Sequence, residues 1–210
     1  MCCDTSTLKK RYCMNLALFD FDGTITKKEM FADFMRFAVS RRRRLLGAVV
    51  FAPLVIGYKL GIVSGNAIRS CVVSFGFRGV PAKHIEKVGK RFSNDVLPTV
   101  LRPIAWERLQ WHKAQGDKII VVSAALDVYL MHWCRQHGFD LICSRLEITD
   151  GLLTGRYRGL QCAGAEKSRR IREVCKLESF PVVYAYGDTK EDLDMLSMAD
   201  KKYYCWQELA

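Results

Sequence analysis

The stretch Leu16-Ala17-Leu18-Phe19 runs straight into Asp20-Phe21-Asp22-Gly23-Thr24. A short apolar run that ends in a glycine turn reads as a buried strand, and it sets two carboxylates one residue apart where that strand runs out. Side chains alternate along a strand. A bend at Gly23 nevertheless lets both aspartates address one pocket at the C-terminal edge of a sheet, where open α/β folds bind ligands. One carboxylate there can act as a nucleophile while its neighbour shuttles a proton.

Further short apolar runs occur at Ile119–Val122, Leu141–Cys143, Val182–Ala185 and Tyr203–Cys205, and helix-like stretches separate them at Val100–Gln115, Asp127–His137, Glu166–Leu177 and Glu191–Met198. That alternation predicts an α/β fold: a Rossmann-like, mostly parallel sheet with helices on both faces. Asp150-Gly151, between Leu146–Ile148 and Leu152–Thr154, reads as the turn of a β-hairpin on one edge of the sheet. From Lys27 to Lys90 no strand alternation shows. Phe31, Phe34, Met35, Ala38 and Val39 keep helical spacing, as do Ile85 and Val88, which predicts a helical cap inserted after the first strand. The expected division is a catalytic core over residues 11–28 and 91–210 and a cap over 29–90. A chain of 210 residues, half of them hydrophobic, can bury such a core without disulfides or metals.

The net charge of +11 favours anionic partners: phosphorylated small molecules, nucleic acid or an anionic membrane surface. No paired Cys/His metal spacing and no aromatic RNA-binding sheet motif is present, so no nucleic-acid partner is expected. The nine cysteines are an odd number without C-x-x-C spacing, with Cys2 and Cys3 adjacent, and residues 1–10 are polar. Reduced thiols in a cytoplasmic protein are the simplest expectation.

Three more strand ends carry candidate chemistry. Ser123-Ala124-Ala125 follows Ile119–Val122 and could hold a phosphate with its hydroxyl and with N–H groups at a helix N-terminus; a serine before a helix is otherwise an N-cap. Gly164-Ala165-Glu166-Lys167 puts a lysine near the start of a helix, a place where lysine is usually solvated. Gly187-Asp188-Thr189-Lys190-Glu191-Asp192, after Val182–Ala185, again sets two carboxylates in a glycine-containing turn. Mg²⁺ takes hard oxygen ligands and few protein carboxylates, and Asp20 with Asp188 meets that need.

In this order the four segments resemble the signature of the haloacid dehalogenase superfamily of aspartate-nucleophile phosphohydrolases. The likeness runs from about Leu16 to the C-terminus. The helical insertion resembles the cap of the phosphoserine-phosphatase-like branch, and within it the chain is similar to phosphatidylglycerophosphatase C and to uncharacterised bacterial hydrolases. The resemblance implies a Mg²⁺-dependent phosphomonoester hydrolase in which Asp20 attacks phosphorus and forms an aspartyl-phosphate. Asp22 would protonate the leaving alcohol and then deprotonate water. Ser123 and Lys167 would hold the phosphoryl oxygens, with Ala124 beside the substrate. Mg²⁺ would bridge Asp20, the backbone carbonyl of Asp22, and Asp188, while Asp192 would sit behind the metal and orient a water or Lys167. Two features depart from phosphoserine phosphatases: alanines at 124 and 125 replace glycines, and Glu191 replaces an asparagine. Glu29 matches their glutamate near the substrate amino group, although a cap glutamate is otherwise an exposed helix residue. The implied substrate is a phosphorylated small molecule or lipid, with phosphatidylglycerophosphate and phosphoserine as named alternatives and a non-catalytic phosphate-binding protein as the rival class.

Arg41–Arg44 precede an uncharged run from Leu45 to Tyr58. Fourteen residues fall short of the roughly 20 that span a bilayer. A single crossing would also separate Asp20 from Asp188. The run is expected either to be buried as a cap helix, with the arginines solvated beside it, or to lie peripherally on the inner face of an anionic membrane.

Overall fold

The structure, a computed structural model, describes residues 14–209. Cys2, Cys3 and the first residues of the expected core lie outside them. Strand β1 is Leu16–Phe19, followed by six helices: α1 (Phe31–Ala38), α2 (Arg41–Val50), α3 (Ala52–Lys59), α4 (Gly65–Phe77), α5 (Ala82–Asp95) and the single turn α6 (Leu97–Val100). Then come α7 (Pro103–Gln115), β2 (Lys118–Leu126), α8 (Asp127–His137), β3 (Asp140–Ser144), β4 (Leu146–Thr149), β5 (Leu152–Tyr157), α9 (Ala165–Val174), β6 (Val183–Gly187), α10 (Leu193–Ser197), β7 (Lys201–Tyr204) and β8 (Gln207–Leu209).

The main sheet has the order β3-β2-β1-β6-β7-β8; all neighbours are parallel except β7 and β8. β1 therefore lies in the middle with β2 and β6 on either side, and the ends of these three strands meet at one edge. The alternation of β1 sorts its side chains between two cores. Ala17 and Phe19 join Val121, Leu109, Trp133 and the cap residues Phe34, Phe77 and Phe92 on one face. Leu16 and Leu18 join Ile120, Val122, Ile171 and Leu196 on the other, beneath α9 and α10. With both faces covered the strand has no polar side, which is why its sequence runs apolar without interruption.

The chain leaves the sheet at Thr26 and returns at Leu101, which form an antiparallel bridge reinforced by Lys27 N–H to Val100 O and Arg102 N–H to Ile25 O, both 2.9 Å. Residue 90, the expected end of the cap, falls inside α5. That helix continues to Asp95 because its inner face, including Ile85 and Phe92, packs into the same core as Tyr129 of α8. The Asp150-Gly151 hairpin is present as β4 and β5, but as a separate two-stranded sheet rather than on an edge of the main one. It is held to the cap instead, by Gly79 N–H to Leu153 O and Leu153 N–H to Val80 O, each 2.9 Å. Cys205 lies beyond β7 in the turn to β8, a strand the sequence reading did not include. The described cysteines are all free thiols.

Candidate active site

Asp20 follows directly on β1, its N–H bonded to Tyr186 O of β6 at 2.9 Å, and its carboxylate is buried. The turn after it has one strict requirement. Gly23 sits at φ +82°, and a Cβ there would lie 2.1 Å from Asp188 Oδ2, so both backbone sign and space exclude a side chain. Thr24 Oγ1 donates to Asp188 Oδ1 at 3.1 Å, which ties the first carboxylate turn to the second. Arg102, back from the cap, donates through Nε to Gly23 O (2.7 Å) and Thr26 O (3.1 Å) and clamps the turn from outside. Asp22 Oδ1 accepts the Met30 N–H at 3.0 Å, so the entry to α1 fixes its carboxyl.

Lys167 is buried rather than solvated. Its Nζ lies 2.5 Å from Asp20 Oδ1 and 2.6 Å from Asp192 Oδ1. The other oxygen of Asp192 accepts from the N–H groups of Asp188 (3.2 Å) and Thr189 (3.0 Å) and from Thr189 Oγ1 (2.9 Å). Asp192 is fully buried in the space left by Gly187, where a Cβ would come within 2.5 Å of its own. With both oxygens occupied, its part is to orient Lys167.

Ser123 is buried, but not at a helix N-terminus. β2 continues through it to Leu126 with a register shift against β3, and α8 begins only at Asp127. Its Oγ accepts the Ala125 N–H at 3.0 Å, so an irregular strand end, not a helix terminus, presents the hydroxyl and its neighbouring backbone.

The cavity between these groups holds about 40 Å³, roughly the share of one or two waters. Asp20, Asp22, Ser123, Ala124 and Lys167 form its floor; Glu29, Phe31, Arg69 and Glu191 form its walls. Glu29 is exposed at the rim. Arg69 of α4 carries no distinguishing signal in the sequence, being one basic residue among many in the cap. It lies 3.7 Å from Glu191 and donates to Gln161 Oε1 (3.1 Å) and Asn66 Oδ1 (2.8 Å), so Glu191 has a cap partner. A larger cleft of about 560 Å³ runs alongside, between α4 and residues 155–163, but lacks the paired aspartates.

Burial pushes Asp20 up to about 8 against the opposing pull of the Lys167 ammonium. Burial also raises Asp22 to about 7, with the Met30 N–H working against it and Glu29 adding to it. Asp188 is raised too, chiefly by burial. Lys167 loses from its own burial, but its two carboxylates outweigh that and hold it charged. Asp20, Asp188 and Asp192 can bring carboxylate oxygens within 4.8 Å of one another against one ammonium. Asp192 is already tied to Lys167, Thr189 and the Asp188 N–H, so Asp20 and Asp188 are the carboxylates that best fit a small hard dication.

A family model described as haloacid dehalogenase-like hydrolase matches residues 17–197. The chain is 33% identical over 191 residues to Protein CicA of Caulobacter vibrioides, covering 90% of this chain and 85% of that one. It is 26% identical over 194 residues to a phosphoserine phosphatase of Archaeoglobus fulgidus, covering 88% of this chain and 50% of that one. A crystal structure of a protein of unknown function from Bordetella pertussis superposes with a TM-score of 0.77 at 22% identity, covering 91% of this chain and 89% of that one.

Proposed function

Since the chain belongs to the haloacid dehalogenase-like hydrolases, among the phosphoserine-phosphatase-like phosphoric monoester hydrolases, we propose that it cleaves a phosphate monoester through an aspartyl-phosphate on Asp20. The observation that carries this reading is Lys167, buried between Asp20 and Asp192 at the end of β1, with Asp22 two residues on from Asp20 and lining the same pocket. An Asp20 oxygen attacks phosphorus and the ester P–O bond breaks; the proton on Asp22 goes to the departing alkoxide. Asp22, now a carboxylate, takes a proton from the water that attacks the acyl-phosphate, so Asp20 is restored and inorganic phosphate leaves. A carboxyl raised by burial suits both halves, since it can hold a proton and give it up. Asp20, raised by burial as well, must be ionised to attack, which the Lys167 ammonium favours and a dication at Asp20 and Asp188 would favour further. Lys167 and the Ser123 hydroxyl stabilise the phosphoryl oxygens as charge builds on them. Mg²⁺ held by Asp20 and Asp188, with the carbonyl of Asp22, would supply further charge neutralisation there.

The test is phosphate release from a panel of esters with Mg²⁺ and with excess chelator, combined with acid-quenched mapping of the phosphorylated residue. Mg²⁺-dependent release and a label on Asp20 are expected. Label on another residue, or full activity in chelator, refutes the proposal. Binding of esters without release would make the protein a phosphate binder, a reading against which the buried Asp20–Lys167–Asp192 group speaks. For the leaving group, Glu29 and Arg69 on the pocket wall favour an amino-acid phosphate such as phosphoserine, whereas the outer face of the cap favours a lipid phosphate such as phosphatidylglycerophosphate.

A further inference from the structure

The apolar run from Leu45 to Tyr58 does not form cap core. Leu45 is 62% exposed, Val49 75%, Ile56 58% and, just beyond the run, Ile62 78%. In α2 only Gly47 is buried, set against Phe75 of α4. The result is a broad apolar face on α2, α3 and the turn after them, and monomeric proteins seldom leave such a face in water without a use for it.

The segment that carries this face is strongly basic, although Arg36 pairs with Asp33 and Arg69 lies 3.7 Å from Glu191. Between Asp33 and Glu86 the sequence has nine basic residues and no acidic one. The four arginines opening α2 divide into two pairs. Arg43 donates to Gly76 O at 3.1 Å and Arg44 to Arg36 O, so these two fasten α2 to the ends of α4 and α1. Arg41 and Arg42 are exposed and, among the described residues, make neither a hydrogen bond nor an ion pair. A second copy on this face would bring like charges together, since a two-fold contact pairs a patch with itself. An anionic bilayer satisfies both features, with headgroups for the guanidinium groups and an acyl boundary for the apolar side chains. Crossing is excluded for these helices, because no described helix is long and apolar enough.

We infer that the α2–α3 face docks this protein on an anionic lipid surface, with both helices lying in the interface. The cleft beside Arg43, Leu46 and Phe51 shares Cys71 and Ser74 with the cleft that runs past Asn66 and Gln161, the partners of Arg69. Docking therefore sets the flank of α4 that leads to the catalytic pocket close to the membrane. Given the phosphatase reading, on which this step rests, the substrate class becomes membrane-borne phosphate monoesters.

The experiment is co-sedimentation with vesicles of phosphatidylcholine, with and without phosphatidylglycerol, at low and high salt. The parent protein is expected to sediment with the anionic vesicles and to be partly released by salt. Arg41→Gln/Arg42→Gln should lower that partition about tenfold at low salt. Val49→Glu should abolish the salt-resistant remainder by placing a charge in the acyl boundary. Both variants should keep the parent rate on a soluble aryl phosphate, which also shows that they fold. They should release phosphate more slowly from a long-chain alkyl phosphate embedded in the vesicles. A parent protein that ignores anionic vesicles at low salt overturns the inference, as does binding unchanged in both variants. So does a solution dimer that Val49→Glu converts to monomer, because the face is then a contact between copies. Vesicle binding without hydrolysis of any ester leaves docking in place and removes the phosphatase reading; hydrolysis without vesicle binding does the reverse.

Discussion

The edge of the sheet at Asp20 and the outer face of α2 and α3 draw on similar residues, apolar runs next to charge, and treat them in opposite ways. Leu16–Phe19 are wholly buried, and each charged group beyond them has an assigned partner: Lys167 takes Asp20 and Asp192, Thr24 holds Asp188, and Met30 holds Asp22. Leu45–Tyr58 are largely in solvent, and Arg41 and Arg42 have no such partners among the described residues. Buried charge persists only when its neighbours are fixed, so the sheet edge is rigid by necessity. Exposed apolar surface persists without internal partners, so the outer face is free to meet something outside the molecule. Substitutions should therefore be drastic in the first region and nearly silent for stability in the second.

The largest effect is expected from Asp20→Asn, which removes the nucleophile and leaves an almost isosteric side chain. Turnover should fall on the order of 10⁴-fold or more. Circular dichroism should show the fold retained, and the acid-stable phosphoryl label should vanish. Turnover within tenfold of the parent would mean that Asp20 is structural, and the contrast between the regions would lose its chemical meaning.

Asp22→Asn should cost about 10²–10⁴-fold with alkyl esters, the usual contribution of general acid–base catalysis. The loss should be much smaller for the departure of an aryl oxide, which needs no proton. In the parent, phosphorylation of Asp20 by an alkyl ester needs Asp22 protonated. Its pKa is raised, so that form is complete well below 7 and is lost as pH rises through about 7. Asp20, itself raised by burial, must ionise before it attacks. The parent's single-turnover profile should therefore combine a rising limb from Asp20 with a falling limb through about 7 from Asp22, and only the falling limb should be absent in Asp22→Asn. A flat profile in the parent would assign the proton to another group.

Much of this contrast is legible in the sequence, and the reasons for the remainder are physical. β1 and α8 begin and end where the apolar run and the Gly138 stop place them. The two aspartate turns lie together because parallel strands deliver their C-terminal ends to one edge. Lys167 looks like a surface lysine because its partners come from 147 and 25 residues away. Arg102 is equally silent, since its role depends on the return of the chain from the cap 79 residues after Gly23. The strand character of Ser123 to Leu126 is masked by the alanines, which suit a helix start as well. Whether the run at Leu45 is buried cannot be read from composition, because burial depends on what α4 already covers.

Lys167→Ala should fall between the extremes. Removing one partner of a buried charged group typically costs about 3–5 kcal/mol, because uncompensated carboxylates are left behind. The rate should drop by about 10²–10³-fold with the loss of a donor to the phosphoryl oxygens. Mg²⁺ should raise the melting temperature of this variant more than that of the parent, since it takes over part of the neutralisation of Asp20 and Asp188. An equal response in both proteins would place the metal elsewhere.

The smallest effect belongs to the outer face, and it tests the contrast most directly because the same residue type occurs in both regions. Leu18 is fully buried between the central strands and α9, and Leu18→Ala should destabilise by about 2–5 kcal/mol through lost burial and the cavity left behind. Leu45 is 62% exposed, and its removal leaves no cavity. Leu45→Ala should stay within about 0.5 kcal/mol of the parent in urea unfolding, with an unchanged midpoint slope. Alanine also has the higher helix propensity, which opposes even that small loss. A cost above about 1 kcal/mol would show that Leu45 is packed in solution, and the α2–α3 face would then be closed core rather than a surface offered to a membrane.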